Sequence, residues 1–181
     1  MTKYEDIFDI AADNHGLITS AQPRSGITNN ELVQYAKRRR VTKVGHGLYK
    51  LTQWVPEQND VYAWAVMSVG PDAVLYGESV IAMLGLAPRT HPHVLATPSA
   101  AAALPENLKV EWVDGIEPGA IYDGIPCQSA YDAILACKGK MLPKRLLTAA
   151  ETARRQGFVS KQEFRSLKKE LEGADASKTA E

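Results

Sequence analysis

The side chains best suited to recognition chemistry are amides and cations that lie between positions 28 and 50. Asn and Gln can form paired hydrogen bonds with adenine, while Lys and Arg can bind guanine or phosphate. Such a set predicts contact with double-stranded DNA. The residues expected to face base edges are Asn29, Asn30, Gln34 and Lys37, with Thr28 beside them at the start of their helix. The residues expected to contact phosphates or the minor groove are Arg38, Arg40, Lys43, His46 and Lys50.

The distribution of charge supports the same interpretation. The segment from Thr19 to Lys50 holds seven Lys and Arg residues against one acid, Glu31, whereas the chain from Pro56 onward holds 13 basic and 16 acidic residues. The net charge of the whole chain is zero, so only the asymmetry between segments is informative.

Three other groups could do chemistry, and each lacks the partners that its chemistry needs. The segment His91–His93 offers two imidazoles but no third metal ligand at a typical spacing. The pair Glu78–Ser79 has no G-x-S-x-G motif around it and no base nearby in sequence. Cys127 and Cys137 have no further cysteines with which to form a zinc site or a disulfide framework. We therefore expect no catalytic residues, no metal and no cofactor, and we do not expect an enzyme.

Two helices are predicted before the polar segment. A capping box at Thr2–Glu5 opens the first helix, and Gly16 is suited to the left-handed position that ends it. A second capping box, Thr19–Gln22, opens a short helix that Gly26 closes. Pro23 lies where a backbone donor would be used, so this helix is expected to be irregular or a single turn.

A third helix carries the amides and cations. Thr28–Glu31 is another capping box, and Ile27 and Leu32 are spaced as a hydrophobic staple. The wheel places Leu32, Tyr35, Ala36 and Arg39 on one side and Asn30, Gln34 and Lys37 on the other. On its own this pattern favours a solvated amphipathic helix over a DNA-reading one.

The continuation favours DNA binding. Val41–Val44 and Leu48–Leu51 read as two strands joined by the glycine-rich tip Gly45–Gly47. A basic hairpin after a basic-faced third helix is typical of a wing, so residues 1–53 are predicted to form a winged helix-turn-helix.

The remaining chain is predicted to be a mixed α/β domain over residues 60–172, which makes the whole protein α+β. Its expected helices are Asp60–Val69, Glu78–Leu86, Ser129–Cys137, Leu142–Arg155 and one opened by the capping box Ser160–Glu163, with a helical turn at Ser99–Leu104. Its expected strands are Ala73–Tyr76, Val94–Thr97, Leu108–Val113, Ile121–Tyr122 and Ile125–Cys127. Residues 173–181 are small and polar and are expected to be a disordered tail.

A second basic cluster surrounds the helix that follows Pro143; it consists of Lys138, Lys140, Lys144, Arg145, Arg154 and Arg155. It is either a solvated face or a surface that touches nucleic acid. No apolar run approaches the ~20 residues that a membrane span needs, and the acidic N-terminus has no apolar signal region. We therefore expect no membrane association and a cytoplasmic location.

Several segments, in order and spacing, resemble the AbiEi-type antitoxins of type IV toxin–antitoxin systems. The similarity runs from about Tyr4 to Leu171 and rests on Leu17–Gln22, Gly26–Thr28, Val41–Leu51, Ala73–Leu86, Val94–Pro98 and Gly124–Leu135. The resemblance implies a winged helix-turn-helix followed by an AbiEi-like antitoxin domain at 60–172. It implies repression of the protein's own operon through inverted repeats. It also implies neutralisation of a nucleotidyltransferase-like toxin, with which the antitoxin need not form a complex.

Two other classes of function stay open on the residues alone. A protein-binding antitoxin or adaptor could use the winged helix as a docking module, and it would co-purify with its partner without binding DNA. An RNA-processing enzyme would need His91 or His93 for a metal-dependent reaction.

Overall fold

The structure is a computed structural model that describes residues 3–22, 26–98 and 104–176. The described residues contain both helices and strands, and the strands form two separate sheets, which confirms the predicted α+β class. The first elements are α1 (Lys3–Ala12), β1 (Leu17–Thr19), α2 (Asn29–Lys37), β2 (Val41–Gly45) and β3 (Leu48–Leu51). The remaining elements are α3 (Asp60–Val69), β4 (Val74–Leu75), α4 (Gly77–Met83), β5 (His93–Ala96), β6 (Lys109–Trp112), β7 (Ala120–Tyr122), β8 (Ile125–Cys127), α5 (Ala130–Ala136), α6 (Pro143–Gln156) and α7 (Lys161–Ala176).

A local signal places the start of α7 as predicted, whereas α4 ends at Met83 and not at the expected Leu86. At the start of α7 the Ser160 amide donates to Glu163 Oε2 at 2.8 Å, and the Glu163 amide donates to Ser160 Oγ at 3.2 Å, which completes the capping box. The helix extends through Ala176, beyond Gly173, where the predicted tail began. Residues 177–181 and most of the turn predicted at Ser99–Leu104 lie outside the described residues. In the described part of the chain, no helix has the length and apolar character that a membrane crossing requires.

The connection between β1 and α2 contains the capping signal but is described only in part. The Thr19 amide donates to Gln22 Oε1 at 3.1 Å, and the Ala21 amide donates to Thr19 Oγ1 at 3.3 Å. Ser20–Gln22 form a turn rather than a helix. Pro23, where the short second helix was expected to continue, lies outside the described residues.

The first sheet is small, and its two faces pack against different parts of the protein. It is antiparallel in the order β1-β3-β2, with Ile18 opposite Tyr49 and Tyr49 opposite Lys43. Because side chains alternate along a strand, these pairs share one face. Ile18 and Tyr49 on that face pack with Leu32 of α2 and Ile7 of α1 in one hydrophobic cluster. Leu17 and Leu48 point to the opposite face and join the larger cluster built around α3.

The second sheet has the order β6-β5-β4-β8-β7 and mixes parallel and antiparallel pairs. The β7–β8 hairpin turns at Asp123 and Gly124, whose φ angles of 52° and 73° are both positive, as a tight type I′ connection requires. By contrast, β5–β6 and β4–β8 are parallel pairs that join segments distant in sequence. Helix α3 packs against β4, β5 and β8, while α5 contacts α4, α6 and α7, and α6 packs against α7.

The two sheets are held together through the start and the middle of α3. Trp64 Nε1 of α3 donates to the Val44 carbonyl oxygen at 2.9 Å. Lys50 Nζ of β3 lies 2.7 Å from Asp60 Oδ2.

A Cβ atom on Gly16, which has a φ of +74°, would lie 2.5 Å from the Trp54 ring, so this position requires glycine.

Candidate nucleic-acid interface

Helix α2 begins with the predicted capping box. Thr28 Oγ1 accepts from the Glu31 amide at 3.3 Å, and Glu31 Oε2 accepts from the Thr28 amide at 2.8 Å. Glu31 also forms an ion pair with Lys3 of α1. The hydrogen bond from Lys3, followed by that from the Thr28 amide, lowers the pKa of Glu31 to about 2. The one acidic side chain of α2 is thus ionised and paired within the protein.

The outer face of α2 presents the predicted amides and cations. Leu32 is fully buried, whereas Asn29, Asn30, Gln34, Lys37 and Arg38 are exposed. Asn30, Gln34 and Lys37 recur at intervals of four and three residues, so they form one stripe along the helix. Among the described residues, no carboxylate lies within ion-pair distance of Lys37 or Arg38. This face could therefore offer its hydrogen-bonding groups and charges to an external ligand.

Arg39 and Arg40 follow the C-cap residue Arg38 and extend the same basic surface. Arg39 adopts a left-handed conformation with φ of 57° one residue beyond the C-cap of α2, and its side chain is exposed. The wheel had placed Arg39 on the inner side, which is wrong because the helix ends before it. Arg40 is exposed, and its guanidinium carbon lies 5.1 Å above the centre of the Tyr4 ring, a cation–π contact that orients it. The run Lys37–Arg40 in the sequence was the signal that could have added Arg39 to the predicted set.

The hairpin separates its two predicted lysines onto opposite faces. Lys43 pairs with Tyr49 and shares the sheet face against which α1 and α2 pack, and its side chain is exposed. Lys50 pairs with Thr42 and Leu17 and lies on the other face, where Asp60 Oδ2 holds its ammonium group at 2.7 Å. Lys43 is thus brought together with α2, whereas Lys50 has a protein partner where a phosphate was expected.

His46 lies at the hairpin tip beside the second half of the protein. It is exposed, and it borders a cavity of about 440 Å³ whose other walls include Gln22, Ser68 and Pro126. Gly45 lies next to it, facing the Ser68 hydroxyl. The tip of the hairpin therefore lies near the end of α3, and His46 is set apart from the stripe on α2.

The second basic cluster is largely engaged with protein groups. Lys138 pairs with Glu170 at 3.2 Å, Lys140 Nζ lies 5.6 Å from the centre of the Tyr76 ring, and Arg154 lies 5.3 Å from that of Phe164. Arg155 donates to Thr152 Oγ1 at 3.1 Å, and Lys144 and Arg145 are exposed. These contacts favour a solvated face that supports α6 and α7.

The cysteines and histidines that the sequence offered as candidate chemical groups have the following environments. Burial raises the pKa of Cys127 to about 12 and that of Cys137 to about 11. His93 is buried with Nε2 3.3 Å from Glu111 Oε2, and burial is the main cause that lowers the pKa of this imidazole. His91 is exposed, and its carbonyl oxygen accepts from Ser79 Oγ at 3.4 Å.

Within the described ranges, the one trio of potential metal ligands that meets is His15, Glu57 and Asp60.

No family model matches this chain, and a search of curated proteins returned no significant match.

Proposed function

We propose that the chain is a sequence-specific DNA-binding transcriptional repressor, with residues 1–53 acting as a winged helix-turn-helix. The observation that carries this proposal is the outer face of α2. It exposes a stripe of amides and cations with no described acidic partner, while Glu31 is held by Lys3. The arrangement of the first sheet supports the same assignment. Its strands have the order β1-β3-β2, α1 and α2 pack on one face, and a hairpin follows directly after α2.

The side chains divide into two roles under this proposal. Asn30, Gln34 and Lys37, with Asn29 beside them, would read base edges in the major groove. Arg38, Arg40 and Lys43 would bind phosphates and set the register of the helix on the duplex. Thr28 would act through the helix N-terminus that its side chain caps, because its hydroxyl is bonded to Glu31 at 3.0 Å. Arg39 joins the phosphate-binding group as a further exposed cation.

The biological target is proposed from the sequence resemblance to AbiEi-type antitoxins. On that basis the DNA is the protein's own operator, present as inverted repeats. The functional partner is a nucleotidyltransferase-like toxin that residues 60–172 neutralise, without a stable complex being required. Support for this part comes from the quoted sequence segments alone.

The test is a fluorescence anisotropy titration of the purified chain against duplex DNA from upstream of its coding sequence. A scrambled duplex of the same composition is the control. We expect a dissociation constant on the order of 10⁻⁸ M for the upstream duplex and clearly weaker binding to the control. Gln34→Ala should reduce this preference, whereas Gln162→Ala, which changes an exposed glutamine on α7, should not.

Equal and weak binding to both duplexes would overturn the proposal, because it would reduce the basic face to a non-specific electrostatic surface. Co-purification with a protein partner in the absence of DNA binding would instead favour a docking role for this segment.

A further inference from the structure

A histidine and two carboxylates meet where the first sheet contacts the beginning of α3. His15 Nδ1 lies 3.3 Å from Asp60 Oδ1 and 3.7 Å from Glu57 Oε2. The ligand atoms of all three residues lie within 4.8 Å of one another. A tetrahedral zinc ion with bonds of about 2.0–2.1 Å holds neighbouring ligand atoms about 3.3 Å apart. The observed spacing is therefore close to that of a metal site, and small side-chain rotations would complete it.

The orientation of His15 matches that of a metal ligand. The side chain is only 6 % exposed, and its Nε2 lies 2.8 Å from the carbonyl oxygen of Asp123. A carbonyl can only accept, so Nε2 carries the proton, and in the neutral ring the lone pair of Nδ1 faces the carboxylates. Nδ1 and the carboxylate oxygens would then all be acceptors, so the contact needs either a second proton on the ring or a metal cation between them. Metal-binding histidines commonly donate their second nitrogen to a backbone carbonyl in this way.

Asp60 is also held as a ligand would be. Its Oδ2 atom accepts from Lys50 Nζ at 2.7 Å, Trp54 Nε1 at 2.9 Å and the Glu57 amide at 3.2 Å. These donors leave Oδ1 directed at His15. Burial alone would raise the pKa of Asp60, but the hydrogen bonds, that from Lys50 foremost, lower it below the ordinary value, so the carboxylate stays ionised.

The local charge balance favours a cation. Asp123 Oδ2 lies 3.7 Å from His15 Nε2, so three carboxylates surround one imidazole. The ammonium group of Lys50 offsets only one of them. The side chains of Glu57 and Asp123 are each 56 % exposed, which gives an ion and a completing water molecule access from solvent.

We propose that His15 Nδ1, Glu57 and Asp60 Oδ1 bind a divalent transition-metal ion, zinc in the first instance. One imidazole with two carboxylates is a donor set that Zn²⁺ accepts, with water in the fourth position. The ion would join the loop after α1 to the start of α3. It would therefore fix the first sheet on the second half of the protein. The site does not depend on whether α2 binds DNA.

The test is a titration of the chelator-stripped full chain with zinc alone, in competition with a chromophoric chelator at about pH 7.5. We expect saturation at one equivalent with a dissociation constant of about 10 μM or tighter. Glu57→Gln keeps the size of the side chain and removes its charge, and it should raise that constant at least about ten-fold. Glu106→Gln, at another exposed glutamate, and His91→Gln, at an exposed histidine, should leave it unchanged.

His15→Gln should abolish binding, with circular dichroism checking that the variant is folded. If that variant does not fold, the Glu57→Gln measurement decides alone. Absence of saturation below about 100 μM zinc would overturn the proposal and leave His15, Glu57 and Asp60 as an internal polar network without a metal. Tight binding that Glu57→Gln does not weaken would also overturn it.

Discussion

The salt dependence of DNA binding should distinguish the two lysines of the hairpin. The described structure leaves five cations at the end of α2 and on the hairpin without an ion-pair partner: Lys37, Arg38, Arg39, Arg40 and Lys43. The logarithm of the association constant falls linearly with the logarithm of the salt concentration, and each phosphate neutralised adds about 0.9 to the magnitude of that slope. If the four assigned to phosphates (Arg38, Arg39, Arg40 and Lys43) bind them and Lys37 reads a base edge, the slope should be about 3.6 in magnitude per bound protein chain.

Lys43→Gln should lower that slope by about 0.9. Raising the salt concentration from about 50 to about 200 mM should therefore weaken DNA binding by the wild type about 3.5-fold more than it weakens binding by Lys43→Gln. Lys50→Gln should leave the slope unchanged, because Lys50 lies on the opposite sheet face and is bonded to Asp60. Any effect of Lys50→Gln should appear as lower stability, since Asp60 would lose a charged partner.

The assay is anisotropy with a labelled duplex at several salt concentrations, with each slope fitted separately for wild type, Lys43→Gln and Lys50→Gln. Comparing slopes rather than single affinities removes the contribution of any change in the fraction folded. A reduction with Lys50→Gln equal to that with Lys43→Gln would refute the division of the hairpin into two functional faces. So would an unchanged slope with Lys43→Gln.

Three further outcomes are expected. Asn30→Ala should relax discrimination at one base position by about 1–3 kcal/mol while leaving non-specific binding nearly unchanged, as a panel of single-base variants of the duplex would show. Gly16→Ala should destabilise the fold by about 1–3 kcal/mol or more, because the new Cβ meets the Trp54 ring and the backbone has a positive φ. Urea unfolding measures this loss, and a midpoint equal to that of the wild type would contradict the packing of Gly16 against Trp54. Cys127 and Cys137 should resist alkylation by iodoacetamide at about pH 8 until the protein unfolds, because burial raises both pKa values and the thiolate is the reactive form; rapid labelling of the folded protein would contradict their burial.

The features that sequence could predict are those encoded by near neighbours in the chain. The capping boxes at Thr28 and Ser160 join residues three positions apart, so their pattern is visible directly. The Asp123–Gly124 turn is similarly local, because it needs two residues that tolerate positive φ between short strands. The inner and outer sides of α2 follow from helical periodicity.

The features that sequence could not predict depend on distant contacts. His15 contacts Asp60 and Asp123, which lie 45 and 108 positions away, and nothing near His15 specifies either partner. The parallel pairing of β5 with β6 likewise joins strands without a hairpin between them. Lys50 was predicted to face DNA because it belongs to a basic hairpin. Its face is opposite to that of Lys43 because Lys50 pairs with Thr42, the residue next to Lys43, and its partner Asp60 belongs to a later helix.

The claim that α2 enters the major groove can be tested most directly by dimethyl sulfate footprinting of the protein on its upstream DNA. The reagent methylates guanine N7, which lies in the major groove. The account predicts guanines protected in the bound duplex, with protection reduced by Lys37→Gln and unchanged by Lys161→Gln, which changes an exposed lysine on α7. Tight binding to the same duplex with every guanine N7 still reactive would contradict it.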